Sequence, residues 1–225
     1  MNQELAIILK LYATKPHKEL NDYLIGKSKD NLIGILADLI TMYINDKNSS
    51  TIREFITVTL AGYEHREGKI GYNGFKQDTL ISGRTLKCEA KPKNFDTNST
   101  AKSPQKLKGY GNFSDYTFAR LERDKQEEGL NMLVSGFVDG RLIYILEFPF
   151  SCPTFVENLE KQLMRRFPKG EDIPNEYLRS ASFGYRHFIY YKDLKIVYIS
   201  SKNELQRHQQ YVVRDFYKFL EGKAK

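Results

Sequence analysis

Two carboxylates and an ammonium, Asp78, Glu89 and Lys91, stand close together in a 225-residue chain, within the stretch 67–94, EGKIGYNGFKQDTLISGRTLKCEAKPKN. Two short apolar runs, 78–81 and 85–90, flank Ser82-Gly83-Arg84, and such runs around a glycine turn read as a β-hairpin. Alternate residues of a strand share a face. Glu89 and Lys91 therefore point one way and Ala90 the other, and a tight hairpin brings Asp78 alongside them. Two carboxylates plus an ammonium at a strand end suit a divalent cation and an activated water.

The tripeptide acid-x-Lys says little by itself. It occurs four times, starting at Glu67, Glu89, Asp193 and Glu221, about as often as random order allows. Only Glu89-Ala90-Lys91 both follows an apolar run and has an acid across a hairpin turn. That combination resembles the PD-(D/E)xK nuclease superfamily and, within it, the type II restriction endonucleases. The resemblance covers roughly residues 51–150 and looks most like the branch that leaves blunt ends. It implies an α/β (α+β) fold with a restriction-endonuclease-like core, a mixed central β-sheet flanked by helices. It also implies Mg²⁺ held by Asp78, Glu89 and the backbone carbonyl of Ala90, with Lys91 positioning the attacking water. Gln77 stands where the family has proline. A glutamate of the preceding helix often joins the metal site in that family, and Glu67 or Glu64 is in place for it. The expected activity is cleavage of double-stranded DNA at a short palindrome by a homodimer, each subunit cutting one strand. A repair or junction-resolving nuclease, and a DNA-binding protein with an inactive nuclease-like fold, are the rival readings.

Residues that could hold DNA follow the candidate site. From Lys87 to Lys108 there are six lysines against Glu89 and Asp96, in a polar loop expected to run from Pro92 to Gly111. Lys93, Lys102, Lys106 and Lys108 suit phosphates, and Lys93 or Lys102 also a guanine edge. Asn94, Asn98 and Gln105 have the amides that pair with adenine. Farther on, Ser182-Phe183-Gly184-Tyr185-Arg186-His187 is dense in groups that could read a groove, with Arg186 able to grip guanine and His187 beside it. Packing is the plainer reading of its aromatic residues.

The elements that would position these groups are read from periodicity. Apolar residues at helical spacing predict helices over 2–13, 17–27 and 29–46, an N-terminal helical region spanning 1–48, ahead of a core spanning 49–225. A helix from Thr51 is expected to end near Gly68, with His65 not assigned as a base. Asn112 or Ser114 is expected to cap a helix reaching Glu128, whose Arg120, Glu122, Arg123, Asp124 and Lys125 form an exposed mixed-charge face. Asp139-Gly140 joins two strand-like runs, 130–138 and 141–150, a strong hairpin signal. Glu147 in the second run is read as structural. A helix over 155–166, strands over 188–191 and 196–200, and a basic helix over 202–220 complete the reading.

Composition sets the limits. A formal net charge of +7 and a pI near 9.2 suit a polyanionic partner. Hydrophobic content of 40% argues against disorder. Two cysteines, Cys88 and Cys152, outside any ligand cluster, point to a reducing, cytoplasmic setting. No apolar run is long enough for a membrane span, so no membrane partner is expected. There is no Gly-x-x-x-x-Gly-Lys-Ser/Thr stretch, hence no nucleotide cofactor.

Overall fold

In the computed structural model the chain is described over residues 2–45, 50–66, 71–79, 81–100 and 104–224. Three N-terminal helices, α1 (Gln3–Thr14), α2 (His17–Leu24) and α3 (Lys29–Asn45), precede α4 (Thr51–Leu60). Then come β1 (Glu64–His65), β2 (Gly74–Gln77), β3 (Thr85–Phe95), β4 (Gly111–Tyr116), α5 (Phe118–Gln126), β5 (Leu130–Val138) and β6 (Arg141–Pro149). The chain closes with α6 (Pro153–Arg166), β7 (Leu178–Phe183), β8 (Lys195–Ile199), α7 (Lys202–Arg207) and α8 (Arg214–Lys223). The protein is mixed α/β. A six-stranded mixed sheet of order β1-β2-β3-β5-β6-β8 is flanked by helices, and β4 pairs with β7 in a separate ribbon. Among the described residues no helix is long and apolar enough to cross a membrane.

The sheet centres on the parallel pair β3–β5 and the antiparallel pair β5–β6. Every residue of β5 is buried, as a central strand covered on both faces requires. The turn joining β5 and β6 has positive φ at both Asp139 (48°) and Gly140 (79°), the backbone that an Asp-Gly hairpin favours. Gly136 is fixed by contact rather than by φ. A Cβ there would stand 2.3 Å from Tyr144 Cε1, and the wholly buried Tyr144 cannot yield because its hydroxyl accepts the Gly109 N–H at 3.1 Å. Gly136→Ala should therefore cost about 3 kcal/mol through overpacking, read as a lowered denaturant midpoint with an unchanged slope.

One face of the sheet carries the large aromatic core, which includes Phe113, Tyr116, Phe148, Phe155 and Phe216 from β4, β6, α6 and α8. The other face packs on α4, where Val58 and the following Tyr63 meet Cys88, Ala90 and Leu133. A buried hydrogen bond of 2.6 Å between Thr57 and Ser135 ties α4 to β5. Leu5, Leu9, Ala13 and Ile35 of the N-terminal helices join Phe55, Ile56, Phe137, Leu142 and Ile145 in one cluster. The N-terminal helices thus share their buried face with the sheet.

Several expected elements differ. The helix beginning at Thr51 stops at Leu60, and Glu64 and His65 pair with β2 as a short edge strand. Residues 112–116 are strand, since β7 supplies a partner for β4. The helix beyond starts only at Phe118, where Thr117 accepts the Arg120 N–H and Asp172 accepts those of Phe118 and Ala119 at 2.7 and 2.8 Å. The expected strand 188–191 is a turn packed on the core, and the preceding strand is β7, ahead of a 3₁₀ turn at Tyr185–His187. The C-terminal helix is two helices separated by a 3₁₀ turn at Gln209–Tyr211. Pro92 does not open a loop, because β3 runs on through Phe95.

Candidate active site

Alternation along β3 sets Lys87, Glu89, Lys91 and Lys93 on the aromatic-core face and Cys88 and Ala90 against α4. Backbone groups of the even residues point toward β2: the Asn73 N–H donates to the Cys88 carbonyl at 2.8 Å, and the Ala90 N–H donates to Asn73 Oδ1 at 2.7 Å. Because β2 begins at Gly74, no described strand pairs with β3 beyond Ala90 on that side, and its edge is open there. Pro92 fits there without loss, since its missing N–H would have faced no strand. By the same alternation the Ala90 carbonyl is directed to this open edge.

At that edge Lys91 Nζ donates to Glu89 Oε1 at 2.7 Å, and its ammonium lies 4.7 Å from the centre of the Phe113 ring. Both side chains are half-buried, Glu89 14% and Lys91 19% exposed, so the pair is accessible from one side only. The backbone of β4 crosses close by. A Cβ on Gly111 would stand 2.8 Å from Lys91 Cβ and 2.7 Å from the Phe183 ring. Behind the pair lies Asp124 of α5, nearly buried, bound by Arg123 at 2.8 and 3.1 Å and with Arg120 at 3.8 Å. Burial holds its carboxyl above the usual range despite both arginines, and the charge of Glu89 adds to that rise. The Tyr116 hydroxyl in the same region is buried without a hydrogen-bond partner among the described residues.

Asp78 is not part of this group, contrary to the sequence expectation. The hairpin pairs Gln77 with Thr85, and the Asp78 N–H donates to the Arg84 carbonyl, so Asp78 belongs to the turn. Its carboxylate lies 3.8 Å from Arg84 Nε. Glu89 is five residues farther along β3 than Arg84, about 16 Å at the strand rise. The residue that stands across from Glu89 is Asn73. The cause is the placement of β2, which forms over Gly74–Gln77 and ends before Asp78. Gly74 enters the strand because no Cβ would fit there, 2.6 Å from Val58 and 2.9 Å from the Glu64 carbonyl.

The basic residues divide. Lys93 donates to Asn112 Oδ1 at 3.2 Å, and Lys93 and Lys108 both stack on Tyr110, each 5.2 Å from the ring centre. Burial lowers the Lys93 pKa, and the charges of Lys91 and Arg53 lower it further. Lys108 leads on to Arg186, since the Tyr185 N–H donates to the Lys108 carbonyl and the exposed Arg186 leans on the Tyr185 ring. Lys91, Lys93, Lys108 and Arg186 form a basic strip leading away from the Glu89–Lys91 pair. Gln105 and Lys106 are exposed near it, and Asn98 is exposed in the turn after β3.

Two expected readers are committed elsewhere. Asn94 Oδ1 accepts the Gly140 N–H at 3.2 Å and braces the β5–β6 turn. His187 Nδ1 accepts the Gly184 N–H at 3.1 Å inside the 3₁₀ turn, and burial lowers its pKa. Glu67 and Lys102 lie outside the described residues. Glu64 is exposed on β1, while His65 faces Glu54 at 3.2 Å.

Sequence reasoning passed over Asn73 and Asp124. Asp124 was expected on an exposed charged face, yet it points inward. Only the small apolar count of α5, with Leu121 three residues before Asp124, hinted at the inward side.

No match decides the family. The sequence matches no protein-family model and no curated protein.

A desolvated ammonium is costly unless an anion meets it, so Lys93→Met should leave the melting temperature unchanged or higher. A thermal melt of the variant beside the native protein would read this.

Proposed function

We propose that this protein is a Mg²⁺-dependent endonuclease acting on double-stranded DNA, with a restriction-endonuclease-like core, and that it works as a type II restriction enzyme on a short palindrome as a homodimer. The observation that carries the reading is the Glu89–Lys91 pair at an open strand edge, beside a backbone carbonyl and a basic strip. The donors there are hard oxygens: the Glu89 carboxylate, the Ala90 carbonyl and the amide oxygen of Asn73, which keeps a lone pair beyond its bond to Ala90. Among the described residues no three His, Cys, Asp or Glu side chains gather into a metal cage. An incomplete oxygen set of this kind suits Mg²⁺, which retains waters and takes its other ligands from substrate phosphate.

When bound, the metal would lower the pKa of a coordinated water and screen the charge of the transition state. The residues of the chain supply the positioning. Glu89 would hold the cation and accept a hydrogen bond from the attacking water. Lys91, released from Glu89 as the phosphate arrives, would keep its proton on Nζ and offset the charge growing on the phosphoryl oxygens. Lys93 and Lys108 would hold the flanking backbone in register. Asp124, held by its arginines, would keep Glu89 from collapsing toward α5.

A non-catalytic DNA-binding protein is the second reading, favoured by one observation: the residue across from Glu89 is a neutral amide. Incubating the purified protein with phage DNA and Mg²⁺, then sequencing the fragment ends, tests both. Discrete fragments with common ends support the restriction reading. Cutting confined to branched duplexes reassigns the protein as a structure-selective nuclease. Tight binding without nicks at any Mg²⁺ or Mn²⁺ concentration supports the second reading, and absence of both binding and cutting defeats each of them.

A further inference from the structure

The N-terminal helices use only part of their apolar surface on the sheet. In α3 the side chains of Ile35, Leu39 and Met42 face the cluster formed with α1, α4 and β6. A second stripe remains open: Leu32, Ile33, Leu36, Ile40 and Tyr43 are 39%, 53%, 54%, 47% and 72% exposed. At 100° per residue these five positions, with Lys29, fall within an arc of about 100°, centred on Leu36 and adjoining the buried side. Asp30, Ala37, Asp38 and Thr41 occupy the opposite, exposed side. Soluble monomers seldom present five neighbouring large apolar side chains on one helix.

Apart from Ile33, whose mirror position is the cluster residue Leu39, the stripe is symmetric about its own centre. Leu32 and Ile40 each lie four residues from Leu36, and Lys29 and Tyr43 each lie seven away. Turning a second copy over about an axis through Leu36 sets Leu36 on Leu36, Leu32 on Ile40, and the Lys29 ammonium over the Tyr43 ring. That is the self-complementary pattern of a two-fold interface, in which each contact occurs twice. We propose that α3 pairs with α3 of a second copy of this chain in an antiparallel, two-fold contact centred on Leu36. Its i, i+4, i+8 row is the ridge that interdigitates in helix pairs of this kind. Covering these side chains on both copies removes on the order of 1,000 Å² from water, enough for a specific though modest dimer. A heterologous partner would not need this symmetry. The inference gives an interface to the homodimer proposed above, but it is argued from the stripe alone, so a dimer without DNA cleavage leaves it standing.

Leu36 lies beside the axis, so Leu36→Cys places two thiols together across the interface. The native Cys88 and Cys152 are buried and leave the assay clear. Full-length Leu36→Cys under mild oxidation is expected to run as a covalent dimer on a non-reducing gel, whereas Thr41→Cys stays monomeric. Sedimentation of the unaltered protein should show a dimer at micromolar concentration, and Leu36→Glu should weaken it at least tenfold. Leu36→Glu is solvent-exposed in the monomer, and an unchanged circular dichroism spectrum and melt will show that it folds. A protein that sediments as a monomer up to about 100 μM overturns the proposal. So does a dimer that persists in Leu36→Glu with no Leu36→Cys crosslink, since its contact would lie elsewhere.

Discussion

Replacing Lys91 by alanine is expected to lower the rate of Mg²⁺-dependent DNA cleavage by at least about 10³-fold while changing DNA affinity by less than tenfold. The reason is where its charge is needed. In the proposed complex the phosphate would already meet the positive strip of Lys93, Lys108 and Arg186 in the ground state, so one more ammonium would add little to binding. In the transition state the charge on the phosphoryl oxygens grows, and a fixed cation in a half-buried site has its largest effect there. Removing one such group typically costs 10²–10³ in turnover, and in the proposed site the same group would also help position the water. Glu89→Ala should act alike, because it removes the only carboxylate that the described residues place at the open edge. Folding must be checked separately, since each variant strips the other residue of a partner 2.7 Å away. Lys91→Met, which keeps the stem over Phe113, and a thermal melt of each protein provide that control. Rates come from single-turnover cleavage, and affinity from binding in Ca²⁺. A Lys91→Ala protein that cuts at the native rate would refute the site.

The second large effect separates Asn73 from Asp78. Asn73→Ala is expected to reduce cleavage about 10²-fold, because it removes an oxygen at the proposed cation site and frees the Ala90 N–H that aligns the neighbouring carbonyl. Asn73→Asp should retain the ligand position, add charge and shift the Mg²⁺ requirement to lower concentration. Asp78→Ala should stay within about threefold of the native rate. Its carboxylate is some 16 Å along the strand from Glu89, whereas Mg²⁺ binds its oxygens at about 2.1 Å, so one ion cannot touch both. The Asp78–Arg84 contact is long and partly exposed, and such ion pairs contribute little. A Mg²⁺ titration of cleavage for the three variants reads the outcome. If Asp78→Ala is dead and Asn73→Ala is active, the strand register must differ in the DNA-bound protein, and the acid named from the sequence is the ligand after all.

What could be read from the sequence was local. The β5–β6 hairpin follows from Asp139-Gly140 between two β-rich runs, information contained within a few residues. The common face of Glu89 and Lys91 follows from the period of a strand and needs no knowledge of the partner. The helices α1, α3 and α6 are similarly written in spacing, with ends shifted by a residue or two.

What depended on tertiary contact was register and burial. Asn73, not Asp78, stands across from Glu89 because Gly74 fits where Val58 and the Glu64 carbonyl leave no room for a side chain, and that contact lies outside any local pattern. Gly74 looked like punctuation and is instead a close-packed strand residue. β4 is a strand only because β7, more than sixty residues on, pairs with it. Asp124 is buried because α5 turns the side that carries Leu121 onto the aromatic core, although its neighbours in sequence are charged. Period and turn chemistry act over a few residues and are carried by the chain itself. A one-residue choice of register is made by packing between segments distant in sequence, so only the folded molecule decides it.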